Sequence, residues 1–222
     1  MKKQSGFTLI ELAIVLVIIG LLLGGVLKGQ ELINSAKVKN MATDFRNIPV
    51  YIYAYQDKYK AIPGDDKNAA GASGHLGTLA SNPPTTTGGN GQLDGRWNDA
   101  VSATSETALF WQHVRLAGLA AGATDLTLTS GFYPTNADGG NIGIEAGRTT
   151  SPAIAGIAGT YVICSTGILG KYVKQLDITL DNGDTASGAM MATPTSGYAI
   201  GAAATATTSI ADGTAYTVCL AI

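Results

Sequence analysis

The stretch KKQSGFTLIELAIVLVIIGLLLGGVL (residues 2–27) decides how this chain is organised. Two lysines come first, and from Phe7 to Leu27 every residue is uncharged except Glu11. As a helix, these 21 residues would span about 30 Å, the thickness of a bilayer core. The sequence therefore predicts a membrane-spanning helix over residues 7–27, with the lysines holding the N-terminus in the cytoplasm and the rest of the chain directed outward.

A secretory signal peptide and an ordinary single-pass anchor are the alternatives for this segment. The apolar run is longer than a usual signal-peptide core, and no small-x-small cleavage site ends it, since GGVLKG (residues 24–29) leads directly into a polar helical pattern. Glu11 argues against an ordinary anchor, because a carboxylate within a membrane costs about 2.5 kcal/mol or more unless something neutralises it. An intramembrane charge indicates function, and a glutamate that snorkels to the interface is the plainer alternative.

The residues KKQSGFTLIEL (2–12) resemble the N-terminal signature of type IV pilins and type II secretion pseudopilins. This resemblance implies cleavage after Gly6 by a prepilin peptidase on the cytoplasmic face, followed by N-methylation of the new N-terminal residue, Phe7. It also implies that Glu11 meets the positively charged N-terminus of a neighbouring subunit in a filament. A misregistered neighbour would leave this carboxylate unpaired in a low-dielectric bundle, so the contact is expected to set the register of assembly.

Helical periodicity continues after the apolar run, although the hydrophobicity falls. Apolar residues recur at spacings of three and four as far as Tyr59, and Pro63 and Gly64 then end the pattern. The predicted organisation is a leader peptide at 1–6, a membrane and filament-core half of the helix at 7–27, an amphipathic half at 28–60 and a globular head at 61–222. The residues of the amphipathic stripe are Val38, Met41, Phe45, Ile48, Ile52, Tyr55 and Tyr59.

Residues 64–103 are rich in Gly, Asn, Asp, Thr and Pro, which predicts a long surface loop region. Some secretion pseudopilins bind calcium in their heads, and oxygen side chains are frequent here. The match to a calcium loop starting at Asn90 is poor, because the first ligand is not Asp and the twelfth position is Val101. Ordinary Asx and glycine turns are the favoured alternative to a calcium site. The candidate calcium ligands are Asp65, Asp66, Asn90, Asp94, Asp99 and Glu106.

The rest of the head is predicted to contain two short helices and an antiparallel sheet. The first helix is capped by Thr104 or Ser105 and ends near Gly118; it places Trp111 in the core or an interface and leaves His113 partly exposed. Residues 169–180 fit a helix or a strand, and we favour a helix. Residues 160–164 and 215–220 are predicted strands. The expected fold is α+β and pilin-like, with the long N-terminal helix packed against a small sheet.

Cys164 and Cys219 are the only cysteines in the chain. Each lies in a predicted strand, and they are separated by 55 residues. In an exported domain such a pair is expected to form a disulfide, and closing so long a loop stabilises the head by about 4 kcal/mol on the chain-entropy model. The alternative is two buried free thiols.

Catalysis is not indicated. His75 and His113 have neither metal-ligand spacing nor a nucleophile nearby in the sequence, and a formal net charge of −2 with no basic patch gives no sign of nucleic-acid binding. The expected protein is therefore not an enzyme and requires no cofactor, calcium being the exception considered above.

The expected function is structural: a subunit of a type IV pilus or of a type II secretion pseudopilus. The implied partners are other copies and related pilins, met through their N-terminal helices, together with the prepilin peptidase and methyltransferase and an inner-membrane assembly platform. The implied location is the inner membrane in a single pass, followed by a periplasmic or cell-surface filament. The alternative function is that of a minor or tip pilin whose head is an adhesin or ligand-binding module, because exposed loops on a rigid scaffold are where recognition usually resides.

Overall fold

The structure is a computed structural model that describes residues 8–128, 130–148 and 150–222. A long N-terminal helix is followed by a small antiparallel sheet of four strands, which is the α+β, pilin-like layout that the sequence predicts. In chain order the main elements are α1 (Leu9–Tyr59), α2 (Glu106–Leu116), β1 (Ile142–Ala146), β2 (Tyr161–Leu169), α3 (Gly170–Leu180), β3 (Met190–Pro194) and β4 (Ala215–Ala221).

Helix α1 runs without interruption through Pro49 and belongs to two compact units, one ending at Lys37 and the other comprising Val38–Ile222. Within the second unit, one face of α1 is buried at the positions that the three-and-four spacing predicts. Tyr59, at the end of the stripe, is only half-buried. Apolar periodicity therefore identified the face of α1 that packs on the head.

The sheet has the strand order β1-β2-β4-β3, and all neighbours are antiparallel. Alternation along the strands gives it two different faces. One face joins the main core with α1 and α2, in which Ile163 and Val218 cluster with Phe45 and Phe110. The second face is covered by loops and forms a smaller apolar cluster. Its members include Cys164, Cys219, Met191, Trp97, Ala153, Ile154 and Ile157.

Helix α2 begins where predicted, with the Ser105 side chain accepting a hydrogen bond from the N–H of Ala108, and it is followed by Gly118 in a left-handed conformation. All of its residues except Leu116 are buried. The prediction that His113 is partly exposed is therefore wrong, since this side chain is 0 % exposed. The cause is the loop segment 64–103, which packs over the side of α2 that its periodicity would have left in solvent.

Contacts with His113 show how this loop segment is held. The backbone N–H of Gly64 donates to His113 Nδ1 at 3.0 Å, and Nε2 lies 2.8 Å from the carbonyl oxygen of Ser81. Leu93 and Trp97, from the same segment, are also buried. The segment is thus not a surface loop throughout, because parts of it complete the core.

The two strands and the second short helix of the head form as predicted, although β2 is longer than expected. β2 continues to Leu169, and α3 follows at once from Gly170 to Leu180. Val173 and Leu176 of α3 are fully buried in the main core. Spacings of four, three and four between Leu169, Val173, Leu176 and Leu180 favour a helix, whereas the alternation of Leu176, Ile178 and Leu180 would fit a strand. The helical spacing was the better guide.

Candidate assembly site at the start of the N-terminal helix

The first turn of α1 is closed by reciprocal hydrogen bonds between Thr8 and Glu11. The Thr8 N–H donates to Glu11 Oε2 at 2.8 Å, and the Thr8 hydroxyl donates to the same oxygen at 2.7 Å. In return, the Glu11 N–H lies 3.3 Å from Thr8 Oγ1. This is a capping box, in which a threonine before the helix and a glutamate three residues later satisfy each other's backbone donors. The sequence TLIE therefore fixes the helix start at Leu9.

The Glu11 carboxylate is exposed and lies at one end of an apolar surface. Among the residues that the structure describes, Glu11 has no cationic partner. Its hydrogen bonds to Thr8 occupy one carboxylate oxygen and leave Oε1 available to an outside donor. The predicted cleavage and methylation sites, Gly6 and Phe7, lie outside the described residues.

Large apolar side chains cover all sides of the helix from Leu9 to Leu27. Leu9 is 88 % exposed and Leu21 is 74 % exposed. By length and composition, α1 is the only described helix apolar enough to cross a membrane, and none of its most apolar window is buried. A soluble monomer rarely leaves so large an apolar surface uncovered. This segment is therefore suited to contact lipid or other apolar helices.

Four glycines lie within α1, at positions 20, 24, 25 and 29. A Cβ atom added at any of them would meet nothing within 4 Å. Glycine lowers helix stability by about 1 kcal/mol relative to alanine, so these residues weaken the helix without relieving a clash inside the subunit. All four are helical in this structure.

Cys164 and Cys219 form a disulfide, as predicted. They face each other across β2 and β4, and both are fully buried in the smaller apolar cluster. The bond therefore ties two neighbouring strands of the sheet and closes a loop that contains α3 and β3.

The candidate calcium ligands have other hydrogen-bond partners in the structure. The Asp65 carboxylate accepts hydrogen bonds from the backbone N–H groups of Gly89, Asn90 and Gly91. Asp99 Oδ2 accepts from the N–H of Arg96 at 2.8 Å. These carboxylates hold turns closed, which is the alternative that the sequence favoured.

Three of the remaining candidates, Asn90, Asp94 and Glu106, form a short chain of contacts. Asn90 Nδ2 donates to Asp94 Oδ2 at 2.7 Å, and the Asp94 N–H donates to Glu106 Oε2 at 2.7 Å. Glu106 is buried, and this burial raises the pKa of its carboxyl group. Within residues 8–128, 130–148 and 150–222, no group of three or more His, Cys, Asp and Glu side chains is arranged to hold a metal ion.

Asp66, the sixth candidate, belongs to a buried hydrogen-bond chain that sequence reasoning did not predict. Its Oδ2 accepts from the Tyr55 hydroxyl at 2.8 Å and lies 2.7 Å from His75 Nδ1. Its Oδ1 accepts from the Asn68 N–H at 2.9 Å. The chain links α1 to the loop that follows it. The only signal in the sequence was a pair of aspartates directly after a helix-ending Pro-Gly.

Glu145 is a second buried carboxylate that the sequence did not single out. Burial raises its pKa, while Oε2 accepts from the Trp97 N–H at 3.0 Å and Arg96 lies 3.5 Å from Oε1. These contacts fix the start of the 97–101 segment against β1. No pattern in the sequence distinguished Glu145 from a solvent-facing strand residue.

Comparison with known proteins gives a match at the N-terminal segment. Residues 1–27 match the family model described as the prokaryotic N-terminal methylation motif, which is the signature of type IV pilins and pseudopilins. No curated protein and no solved structure matches the chain. The match covers the apolar segment with Thr8 and Glu11, and it supports a subunit of the processed pilin type.

Proposed function

We propose that this chain is a structural subunit of a type IV pilus or a type II secretion pseudopilus, polymerised through its N-terminal helix. One observation carries the proposal: an exposed apolar helix that begins at a capped carboxylate coincides with the segment matched by the N-terminal methylation motif. An apolar helix with no cover within its own chain requires a partner, and identical helices of neighbouring subunits supply one.

Processing gives the site its second charge. Prepilin peptidase removes residues 1–6, and the amine of Phe7, now N-methylated, becomes a cation directly before Thr8. The same helix then has a cation at its end and a carboxylate one turn further along. A neighbouring subunit presents the same pair, so the amine of one chain meets the Glu11 carboxylate of the next.

The capping box makes Glu11 suitable for this contact. Thr8 holds the Oε2 atom and thereby fixes the carboxylate at the helix start, while Oε1 remains free to accept from the neighbour's amine. Opposite charges attract strongly away from water, and an unpaired carboxylate there costs about 3–5 kcal/mol. A filament assembled in the wrong register would leave the Glu11 carboxylate of every subunit unpaired and would be destabilised accordingly.

The proposed function also includes the location of the protein before and after assembly. The chain lies in the inner membrane in a single pass with its N-terminus in the cytoplasm, and an inner-membrane assembly platform then moves it into a periplasmic or cell-surface filament. Residues 7–27 form the filament core, residues 28–60 form the spine of the head, and residues 61–222 form the head itself. The chain carries out no reaction of its own in this scheme.

The test compares filaments assembled from Glu11→Ala and from the matched control Glu31→Ala. Glu31 is also a glutamate of α1, but it is exposed, and its ion pair with Lys28 at 2.7 Å is a surface contact that contributes little to stability. We expect the amount of protein in sheared filaments to fall at least tenfold for Glu11→Ala and to remain unchanged for Glu31→Ala. Equal yields for the two variants would refute the proposal.

A minor or tip pilin with a ligand-binding head is the second candidate. It is favoured by an open groove in the head, at one end of the sheet. Abundance separates the two: a major subunit dominates the sheared filament fraction, whereas a tip subunit is a trace component of it.

A further inference from the structure

An open groove of about 630 Å³ lies at one end of the sheet, where β1 begins and β3 ends. Its floor includes Thr217 of β4, on the same strand face as the buried Cys219. Thr166, in the irregular part of β2, and Thr195, directly after β3, contribute its polar edge. The volume falls within the range of about 300–1,000 Å³ that is typical of small-ligand sites.

Three aromatic side chains line this groove, and their polar atoms are already engaged. Trp97 Nε1 donates to the Tyr198 hydroxyl at 3.0 Å, and that hydroxyl donates to the Ala153 carbonyl oxygen at 2.9 Å. The Tyr133 hydroxyl donates to the Asp99 carbonyl oxygen at 2.8 Å. The rings are thus held in place by hydrogen bonds at their polar tips. Trp97 is only 3 % exposed, so the surface open to a ligand comes from the half-buried rings of Tyr133 and Tyr198. This surface is rigid, and covering it costs little conformational entropy.

Two amides provide the unused hydrogen-bonding groups. Asn98 and Asn141 both line the groove and are exposed, and their side-chain amides make no hydrogen bond to any residue that the structure describes. Each amide has one acceptor oxygen and two donor hydrogens. Thr166 Oγ1 accepts from the Asn141 N–H at 3.1 Å and keeps its own hydrogen to donate. Donors and acceptors are therefore presented side by side, next to aromatic surface.

The charge of the groove limits its ligands. Asp99 is the only charged side chain among the described residues that line it, and no Lys, Arg or His is present there. A phosphate, sulfate or uronate would meet a carboxylate and no cation. An extended peptide would need free backbone groups, but those at the Thr166 edge are paired, with the Thr166 N–H donating to the Asn141 carbonyl oxygen at 3.0 Å and the Gly167 N–H donating to Thr195 Oγ1 at 3.3 Å.

We propose that this groove binds a neutral oligosaccharide. The hydroxyl groups of such a ligand are donors and acceptors that match the free amides and threonine hydroxyls, and the apolar face of a sugar ring covers aromatic surface. Neutrality agrees with the absence of a cation from the described lining. The site lies wholly within the head, so it stands whether or not the protein polymerises.

The experiment is calorimetric titration of the full-length mature protein in a detergent that has no sugar headgroup. The probes are maltotriose, cellotriose and triacetylchitotriose, with trigalacturonate and trialanine as acidic and peptide controls. The protein variants are Asn98→Ala/Asn141→Ala and a matched control, Gln175→Ala, which removes an exposed amide from α3 on another part of the head.

We expect at least one neutral trisaccharide to bind and both controls to fail. Loss of two hydrogen bonds weakens this binding about tenfold in the double variant, and Gln175→Ala binds as the wild type does. The single variants Asn98→Ala and Asn141→Ala, each expected to weaken binding about threefold, replace the double variant if it does not fold. The proposal is overturned if no neutral trisaccharide binds, if trigalacturonate or trialanine binds equally well, or if removal of the amides leaves the affinity unchanged.

Discussion

The Glu11 carboxylate accepts two hydrogen bonds from Thr8, one from the backbone N–H at 2.8 Å and one from the hydroxyl at 2.7 Å. This pairing gives Glu11 a role within its own chain before any neighbour arrives. It also separates two properties of the residue, because the cap requires an acceptor oxygen whereas the proposed contact between subunits requires a negative charge.

Substitutions at Thr8 and Glu11 separate the cap from the charge. Glu11→Gln keeps an acceptor oxygen for Thr8 but removes the charge, so the helix start is expected to remain ordered while filament yield falls. Thr8→Ala removes the capping hydroxyl, at a cost of about 1 kcal/mol, and leaves the charge in place. Hydrogen exchange at the amides of residues 9–12 measures whether the capped helix start stays ordered. The yield of sheared filaments measures whether the negative charge is needed for assembly. If filament yield fell in both variants in proportion to the increase in amide exchange rate, assembly would depend on the cap alone and not on the charge of Glu11.

Removal of the disulfide is expected to destabilise the head by about 4 kcal/mol, because the bond closes a loop between residues 55 positions apart. Cys164→Ala/Cys219→Ala is the test variant, measured by guanidinium unfolding of the head. Reduced wild-type protein serves as the control and should lose the same amount. An unchanged unfolding midpoint in the variant would contradict the expectation.

The buried His113 is expected to make the head less stable in mild acid. Burial lowers the pKa of His113 below its usual value of 6.5, so the unfolded chain accepts a proton that the folded head resists. The contribution of neutral His113 is complete above pH 6.5 and is lost as the pH falls toward the lower pKa of the folded state. The slope is at most about 1.4 kcal/mol per pH unit.

The variant His113→Gln isolates this effect. Burial raises the pKa values of Glu106 and Glu145, which stabilises the head as the pH falls and opposes the histidine. The quantity to compare is therefore the difference in free energy of unfolding between wild type and variant from pH 7.5 to pH 5.5. We expect this difference to narrow as the pH falls, and a constant difference would contradict the assignment.

Gly64 is expected to be intolerant of substitution for two reasons. Its φ angle is +92°, and an added Cβ atom would collide with the Glu106 carbonyl oxygen and the Leu93 side chain. Gly77, with φ of +79° and open space around it, is the matched control. Gly77→Ala should cost about 1–2 kcal/mol from the backbone alone, and Gly64→Ala should cost clearly more. Similar unfolding midpoints for the two variants would show that the loop moves aside at Gly64.

Much of this fold could be predicted from local patterns. Three-and-four spacing located the buried face of α1 from Val38 onward, the Ser105 cap located α2, and the only two cysteines predicted the disulfide. These features depend on residues close together in the sequence or on one pairing that only two cysteines allow. The methylation motif was likewise contiguous, in residues 1–27.

The contacts that were missed all join distant segments. His113 is buried by Gly64 and Ser81, which lie far from it in the sequence, and the periodicity of α2 does not report what covers its other side. Local patterns likewise gave no sign that Asp66 is hydrogen-bonded to Tyr55 and His75. The residues that line the groove are even further apart in the sequence, since they come from several loops between Trp97 and Thr217. The head is rich in alanine, glycine and threonine, and this composition gives no local sign of such a site.

N-terminal mass spectrometry of the protein from assembled filaments is the most direct test of processing at Gly6 and assembly through Glu11. We expect a mature chain that lacks residues 1–6 and begins at Phe7 with one added methyl group on its amine. An intact Met1, or a chain cut after Leu27, would refute the proposed function, because neither would leave a cation beside Thr8 to meet the Glu11 carboxylate of a neighbour.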